Sequence, residues 1–595
     1  MTRIQTVYLF GLLVILLGIA TTIFYTSKTK SSTLATAELS TALTKGNSGE
    51  TDGTPQPGGT FIEAVSTDAD TFNPIYTTNA TSLKVIQKLF APLIGQDAFT
   101  GAANQSGLAE KWSFSTDGQE LTVQLYAGLK WSDGQPLTTQ DLLFTYALLR
   151  DPQITSPYHD NFANVVEVTA SDERTLVIRL ATADCTILQT LRQPVLPAHL
   201  YQNDVAHFQA ATQRDFPRVG AGPFVYVDRT AGRITLRRNP FYRYGPPLLE
   251  RYEFQIVPDE SEQVPMLQRG EVDLIGLRAA ALAQFQPTDD TALYTAPLDS
   301  ITFVAINLAD PNQPQPGRTV DGELLPQTPH PVLAELAVRR ALAQSVDNAA
   351  TLEQVYGKSA TLIDSYMLPT ITWAYHDTLP KLPYDPSAAA ELLRTAGWVD
   401  SNGDGIRERA GNRLQLQLLT NEDSPSRVQL GQLLQNQWRA IGIDLQLNVV
   451  AFDTLAAALL GQRYDLVLIG WDNLGSEPAN SDFWFAQEDL PTSPVAASGS
   501  NAADVGGGVN FVSYQNSAVE QWLREARTAP ACDGGYRAQR YRRVQERIQE
   551  ELPYIILGGQ RQGWAYDARW QGILPQPWLF QQNIHRWWRQ PDASQ

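Results

Sequence analysis

The chain has 595 residues and a mass of 65.7 kDa, too much for one hydrophobic core, so at least two domains are expected. A hydrophobic content of 43% with 18% charged residues is that of a globular protein. The net charge of -18 argues against nucleic acid as a partner, because phosphate recognition needs stripes of Lys and Arg.

Residues 4 to 25 carry no charge and are long enough to cross a bilayer as a helix. Arg3 precedes this run, and Lys28 and Lys30 follow it. A cleaved signal peptide is the rival reading, but the small-x-small site Ala35-Thr36-Ala37 lies far from the apolar run. No Cys stands near the end of the run, which removes the lipoprotein route. The preferred reading is an uncleaved anchor over 1–26 with an exported remainder. Residues 27–57 are rich in Ser, Thr, Gly and Lys and read as a flexible tether. Export permits a disulfide between Cys185 and Cys532, the two cysteines of the chain. Two separate buried thiols are the preferred expectation.

The folded part begins near Gly58 with a strand, Thr60 to Val65. A polar loop follows, then a helix after Ser82 carrying Leu83, Ile86, Phe90 and Leu93. A loop between strand end and helix start often meets ligand, which makes Tyr76, Thr77 and Asn79 candidates. Alternation marks strands at 121 to 125 and 176 to 180. Between them Thr138 and Asp141 have capping-box spacing at the start of a helix. Trp131 and Asp133 read as structural, a packed aromatic beside a turn-forming carboxylate. Further strands are expected at 222 to 227, 233 to 236, 254 to 257, 272 to 275 and 301 to 308. Asn307, polar near the end of the last of these, is a binding candidate.

The next block is the clearest. A helix is expected over 331 to 346, and Asp385-Pro386 opens another with an acidic cap and Pro at the first helical position. Then come strand 414 to 418, helix 426 to 441, strand 443 to 450, helix 453 to 461 and strand Leu466 to Ile469, expected to break at Gly470. This β-α-β-α-β succession predicts parallel strands with helical crossovers. Ligands of open α/β sheets bind outside the carboxyl ends of the strands. Those ends feed Asn421, Phe452, and the group Trp471, Asp472 and Asn473. A helix over 537 to 551 and a strand at 554 to 557 close the pattern.

No HExxH, GxSxG, Walker loop, GxGxxG or CxxC is present, and the six histidines are scattered. Zinc sites and Cys/His nucleophiles are therefore not expected, and neither is any cofactor. Spacing alone leaves a glycosidase carboxylate pair open. The run from Asp400 to Gly405 has the first half of a calcium loop, but its twelfth position is Gly411. A tight turn is the better reading.

Several motifs resemble the extracellular solute-binding proteins of the peptide/dipeptide/nickel class that serve ABC importers. GLKWSDGQPLTTQDLLFTY (128 to 146) is the most specific. GAGPFVYV (220 to 227), LRRNPFY (236 to 242), GEVDLI (270 to 275) and VRRALAQSVD (338 to 347) follow in order, then the segment 384 to 409 and RYDLVLIGW (463 to 471). The resemblance spans nearly all of 58 to 570. It implies an α/β, two-lobe periplasmic-binding-protein-like fold of class II type. Lobe one would be 58–300 with an inserted subdomain at about 105–216, lobe two 301–548, and 549–595 a return to lobe one. Crossings near 301 to 308 and near 550 would be the hinge.

The implied function is capture of an oligopeptide or similar polar solute and delivery to membrane permease subunits, by a monomer held at the cell membrane and without chemistry. A sensor passing its closed state to a receptor, or a hydrolase on the same fold, are the alternatives. Peptide binders of this family often carry an Asp three residues after the Trp of the GW motif, to meet the ligand's α-amino group. That position is Leu474 here, with Asp472 or Asn473 as substitutes. Carbohydrate oligomers, modified peptides or other polar ligands are the open alternatives, and a sugar would stack on Trp373, Tyr375 and Trp471.

Overall fold

The computed structural model describes residues 54–210, 216–314, 323–472, 474–478, 483–486, 489 and 509–589. The run 4 to 25 expected to be an anchor, the segment expected to be a tether as far as residue 53, and Asn473 lie outside the described residues. Among the described residues no helix is long and apolar enough to cross a membrane.

One sheet runs through the molecule. Its strands in chain order are β1 (Thr60–Val65), β2 (Phe224–Thr230), β3 (Arg233–Arg238), β4 (Arg251–Ile256), β5 (Leu274–Leu277), β6 (Thr291–Pro297), β7 (Ser300–Ile306), β8 (Gln415–Asn421), β9 (Asp444–Val450), β10 (Leu466–Asp472) and β11 (Tyr554–Asp567). Their spatial order is β9-β8-β10-β7-β11-β5-β1-β4-β3-β2, with β6 and Ala360–Thr361 also pairing β11. The parallel triplet expected from the β-α-β-α-β pattern is present: β8 pairs in parallel with both β9 and β10.

β11 joins the two halves. Its first residues, from Tyr554, pair with β7, and its last pair with β6 from Arg561 and with β5 from Gly563. The sequence pattern ends this strand at Leu557 because Gly558 and Gly559 follow. The backbone continues through them, and Gly558, at φ 145°, lies where a Cβ would come within 2.4 Å of Leu352 Cδ1. The packed interior divides at the same place. Phe61, Leu121, Trp131, Tyr252 and Trp587 belong to the large core of lobe one. In lobe two, alternate residues of β7 serve opposite faces of the sheet: Phe303 and Ala305 on one, Val304 and Ile306 on the other.

Within lobe one a four-stranded antiparallel sheet, including Glu120–Leu125 and Thr175–Leu180, shares its core with helix α2 (Thr139–Arg150). The Thr138/Asp141 capping box forms as the spacing predicts. Trp131 is fully buried. In lobe two Asp385 caps the helix Pro386–Thr395 by accepting from Ala388 N. The expected helix at 331 starts only at Leu336, because the His330 ring accepts the amides of Val332 and Leu333. β10 does not break at Gly470: it stays paired with β7 as far as Asp472. The absent Cβ at Gly470 lets the Ile301 carbonyl approach, at 2.7 Å from where that atom would sit.

The cysteine expectation is overturned. Cys185 and Cys532 form a disulfide with a Cα–Cα distance of 5.4 Å. Elimination could not find it, because 347 residues separate the two.

Candidate functional site

The carboxyl ends of β8, β9 and β10 open on one edge of lobe two. At the end of β10 the Trp471 ring packs parallel to Phe483, with centroids 4.4 Å apart, and against Phe511 at 5.3 Å and Phe303 at 6.0 Å. Asp472 is exposed beside it. Phe452, the first residue of helix α3 (Phe452–Leu460), is 52% exposed. Asn421 is buried, and its side-chain Oδ1 accepts from Arg427 Nη1 at 3.0 Å.

The loop after β10 is held from outside its own strand. Asp299, in the turn between β6 and β7, accepts the Gly475 amide on both carboxylate oxygens at 3.0 and 2.9 Å. Burial pushes this carboxyl up to about 6; the Gly475 and Leu474 amides oppose the shift, and the nearby Asp472 adds to it. Ser476 accepts a hydrogen bond from Arg192 of lobe one at 2.7 Å, and the same guanidinium donates to the Gly101 carbonyl at 3.0 Å. Burial lowers Arg192 to about 10, with Glu477 opposing. Glu477 is bonded to Arg537. That guanidinium lies 5.1 Å from the Trp373 ring centre and donates to the Ala526 carbonyl at 2.9 Å. Burial would lower Arg537, but the Glu477 carboxylate outweighs it and holds the guanidinium above its ordinary value. Trp578, whose amide donates to Ala98 of lobe one, donates its indole N–H to the Thr370 carbonyl of lobe two at 2.9 Å.

The other sequence candidates fall apart into two groups. Trp373 meets Tyr541 edge-on at 5.9 Å, and its buried indole nitrogen has no acceptor among the described residues. Tyr375 is half-buried nearby; burial raises it to about 12, with Asp364 and Asp377 adding. The lobe-one candidates serve their own loop. Thr77 is 1% exposed and donates to Asp70 at 2.7 Å, while its carbonyl accepts from Tyr158. Asn79 is the N-cap of helix α1 (Ala80–Leu89), accepting from Ser82 N at 2.9 Å; α1 thus starts three residues before the sequence pattern places it. Tyr76 stacks on Phe208 at 5.9 Å. Asn307 is a correction. It is fully buried, donates to the Gln462 and Tyr464 carbonyls, and sits at the amino end of β10, opposite Trp471. A polar residue closing a strand is there to satisfy backbone.

Sequence reasoning missed Asp299, Arg192, Glu477 and Arg537. Nothing in their local patterns marks them, since each acts on a partner far away in the chain. The run at Asp400 is the tight turn expected: the Gly403 and Gly405 amides donate to Asp400. Asp400, Asp404 and Glu408 approach one another there, but Arg413 pairs with Asp404.

Residues 104–489 match the family profile described as bacterial extracellular solute-binding proteins, family 5 Middle. The chain belongs to this family. It is 23% identical over 550 residues to the oligopeptide-binding protein AppA of Bacillus subtilis, covering 90% of this chain and 92% of AppA. The structure of AppA in complex with a nonapeptide matches at 22% identity with a TM-score of 0.60, over 90% of this chain and 100% of that one. NikZ from Campylobacter jejuni, solved with Ni(L-His), matches at 22% identity and a TM-score of 0.62, over 89% and 99%. HbpA2 from Haemophilus parasuis matches at 20% identity and a TM-score of 0.72, over 87% and 98%. These likenesses carry the two-lobe fold. Within it this family 5 member has Leu474, 8% exposed, packed into the lobe-two core.

Proposed function

We propose that the protein is the substrate-binding component of an ABC importer. It captures an oligopeptide or similar polar solute between its lobes and delivers it to a membrane permease. Lobe one is 58–300 with its insert and the returning tail, lobe two is 301–548 together with the first residues of β11 that pack in its core, and the N-terminal run anchors the folded part outside the cell. The observation that carries the reading is the edge of lobe two. There an exposed carboxylate, Asp472, stands beside the Trp471 aromatic group and next to a loop that touches lobe one through Arg192. A peptide's α-amino group would pair with Asp472, in place of the carboxylate that Leu474 does not supply. The Trp373 indole N–H, buried without an acceptor among the described residues, would donate to a ligand carbonyl. Closure is population shift: a solute touching both lobes stabilises the closed form.

The test is thermal unfolding of the purified chain against mixed peptides, oligosaccharides and nickel–histidine. A binder at about 100 times its Kd adds about 2.7 kcal/mol of stability. Peptides are expected to raise Tm, and Trp471→Ala and Asp472→Ala to abolish the rise. The screen is run on the oxidised chain and on the chain reduced with dithiothreitol, and no shift with any of the three classes in either form overturns the reading.

A further inference from the structure

The Cys185–Cys532 disulfide crosses from one lobe to the other. Cys185 follows β-strand Thr175–Leu180 of the lobe-one insert and just precedes Ile187 and Leu191, which belong to that lobe's core. Cys532 lies in the short link between helices α4 (Ser517–Arg527) and α5 (Gly534–Glu551), whose Val519, Leu523, Tyr541 and Val544 belong to the lobe-two core. We propose that this disulfide is a covalent latch that holds the lobes closed and is released by thiol–disulfide exchange.

The argument begins with the chain crossings. The lobes are otherwise joined covalently where β6 passes to β7 and where β11 runs through Gly558 and Gly559. A clamshell opens about such crossings by separating its facing surfaces. A bond that fixes two Cα atoms 5.4 Å apart on those surfaces forbids separation at that point. Noncovalent contacts surround the bond. The Cys185 amide donates to the Arg527 carbonyl at 2.8 Å, and Arg527 pairs with Asp184 at 3.3 Å. Arg192, after the short helix that follows Cys185, reaches Ser476. These contacts are individually reversible, so the disulfide is the member whose state decides whether they can part.

The link bends to reach its partner. Ala531 and Cys532 both adopt positive φ, 49° and 52°, in the left-handed region that L residues seldom occupy. The two sulfurs differ in access: Cys185 is 1% exposed, whereas Cys532 is only half-buried. An external dithiol would therefore attack at Cys532. The S–S bond breaks, Cys185 leaves as a thiolate and takes a proton, and the second thiol of the reductant displaces Cys532 from the mixed disulfide. The products are two protein thiols and one oxidised dithiol.

The latch rests on the two-lobe architecture, not on the identity of the solute, so a failed solute screen leaves it standing. The test compares the full-length chain, without added solute, in three forms: oxidised, reduced with dithiothreitol, and Cys185→Ser/Cys532→Ser. Mass spectrometry of unreduced peptides first establishes the bond. Hydrogen exchange is then followed at three places: beside the bond (184–192 and 527–533), at the remote interlobe contact around Thr370 and Trp578, and inside each lobe (121–125 and 415–421). Both unlatched forms are expected to exchange at least tenfold faster at the remote contact as well as beside the bond, with the interior strands unchanged. Small-angle scattering should give them a larger radius of gyration. Faster exchange confined to the residues beside the bond, with equal radii, overturns the latch and leaves a local staple. Two free thiols in the unreduced protein overturn it outright.

Discussion

The polar loop after β1 in lobe one and the polar loop after β10 in lobe two use their polar side chains differently. The short polar side chains of the lobe-one loop after β1 serve near neighbours: Asp70 accepts from Thr77 and Ser82, Asn79 caps α1, and Thr81 meets Thr67, each within 14 residues, while Arg229, Ser156 and Tyr158 donate from 81 to 161 residues away to the Asp68 carboxylate and to the Ala69, Ile75 and Thr77 carbonyls. The lobe-two loop after β10 is tied by residues 60 to 284 positions away: Arg537 to Glu477, Asp299 to Gly475, Arg192 to Ser476. The first loop spends the side chains of Asp70, Thr77, Asn79 and Ser82 on its own turn and cap. A remotely tied loop leaves Asp472 exposed and takes its shape from the joint between the lobes.

The largest effect is expected from cutting the strongest remote tie. Arg537→Met leaves Glu477 buried without its partner, which should lower unfolding free energy by about 3–5 kcal/mol. Arg537→Met/Glu477→Met removes both charges and should recover most of that loss in urea denaturation. If the single variant costs no more than a surface change, the lobe-two loop is not remotely held.

Asp299 gives a smaller effect with a definite sign. Its folded pKa, about 6, lies above the ordinary 3.8. A carboxyl raised in this way binds its proton more tightly when folded. Its contribution is therefore complete below the unfolded value and is lost as pH rises through about 6. At 1.36 kcal/mol per unit, wild type should lose about 2–3 kcal/mol relative to Asp299→Asn between about pH 4 and pH 7. Asn retains an acceptor for Gly475 N–H, so the comparison isolates the charge. Parallel stability–pH curves for the two proteins would show that burial and Asp472 do not act on Asp299.

The same division explains what could be read in advance. The capping box at Thr138, the acidic cap at Asp385 and the parallel triplet β9-β8-β10 each depend on spacing within a few residues or on periodicity along one element. The placement of Trp471 at a strand's carboxyl edge follows from that triplet. The continuation of β11 through two glycines was not legible, because the pairing that sustains it comes from β7 and from Ala360–Thr361. Nor were Asp299, Arg537 and the disulfide, whose partners stand 60 to 347 residues away. Local polar signals carry two readings. Thr77 and Asn79 look like ligand contacts for the same reason that they make good turn and cap residues: short polar side chains that reach nearby amides.

The smallest and most discriminating prediction sets one residue of each loop against the other. Asn79→Ala removes an N-cap and should lower stability by about 1 kcal/mol, leaving solute affinity unchanged. Asp472→Ala removes an exposed carboxylate that makes no side-chain hydrogen bond or ion pair among the described residues and only adds to the upward push on Asp299, so stability should stay within about 0.5 kcal/mol. Solute affinity, measured by calorimetry with a peptide identified in the thermal screen, should fall at least tenfold. The two variants thus move opposite observables. A loss of affinity in Asn79→Ala beyond what its stability change explains would mean that the lobe-one loop also meets the solute. The cap would then act as a positioning element for a second wall of the cleft, and the contrast between the lobes would be one of degree.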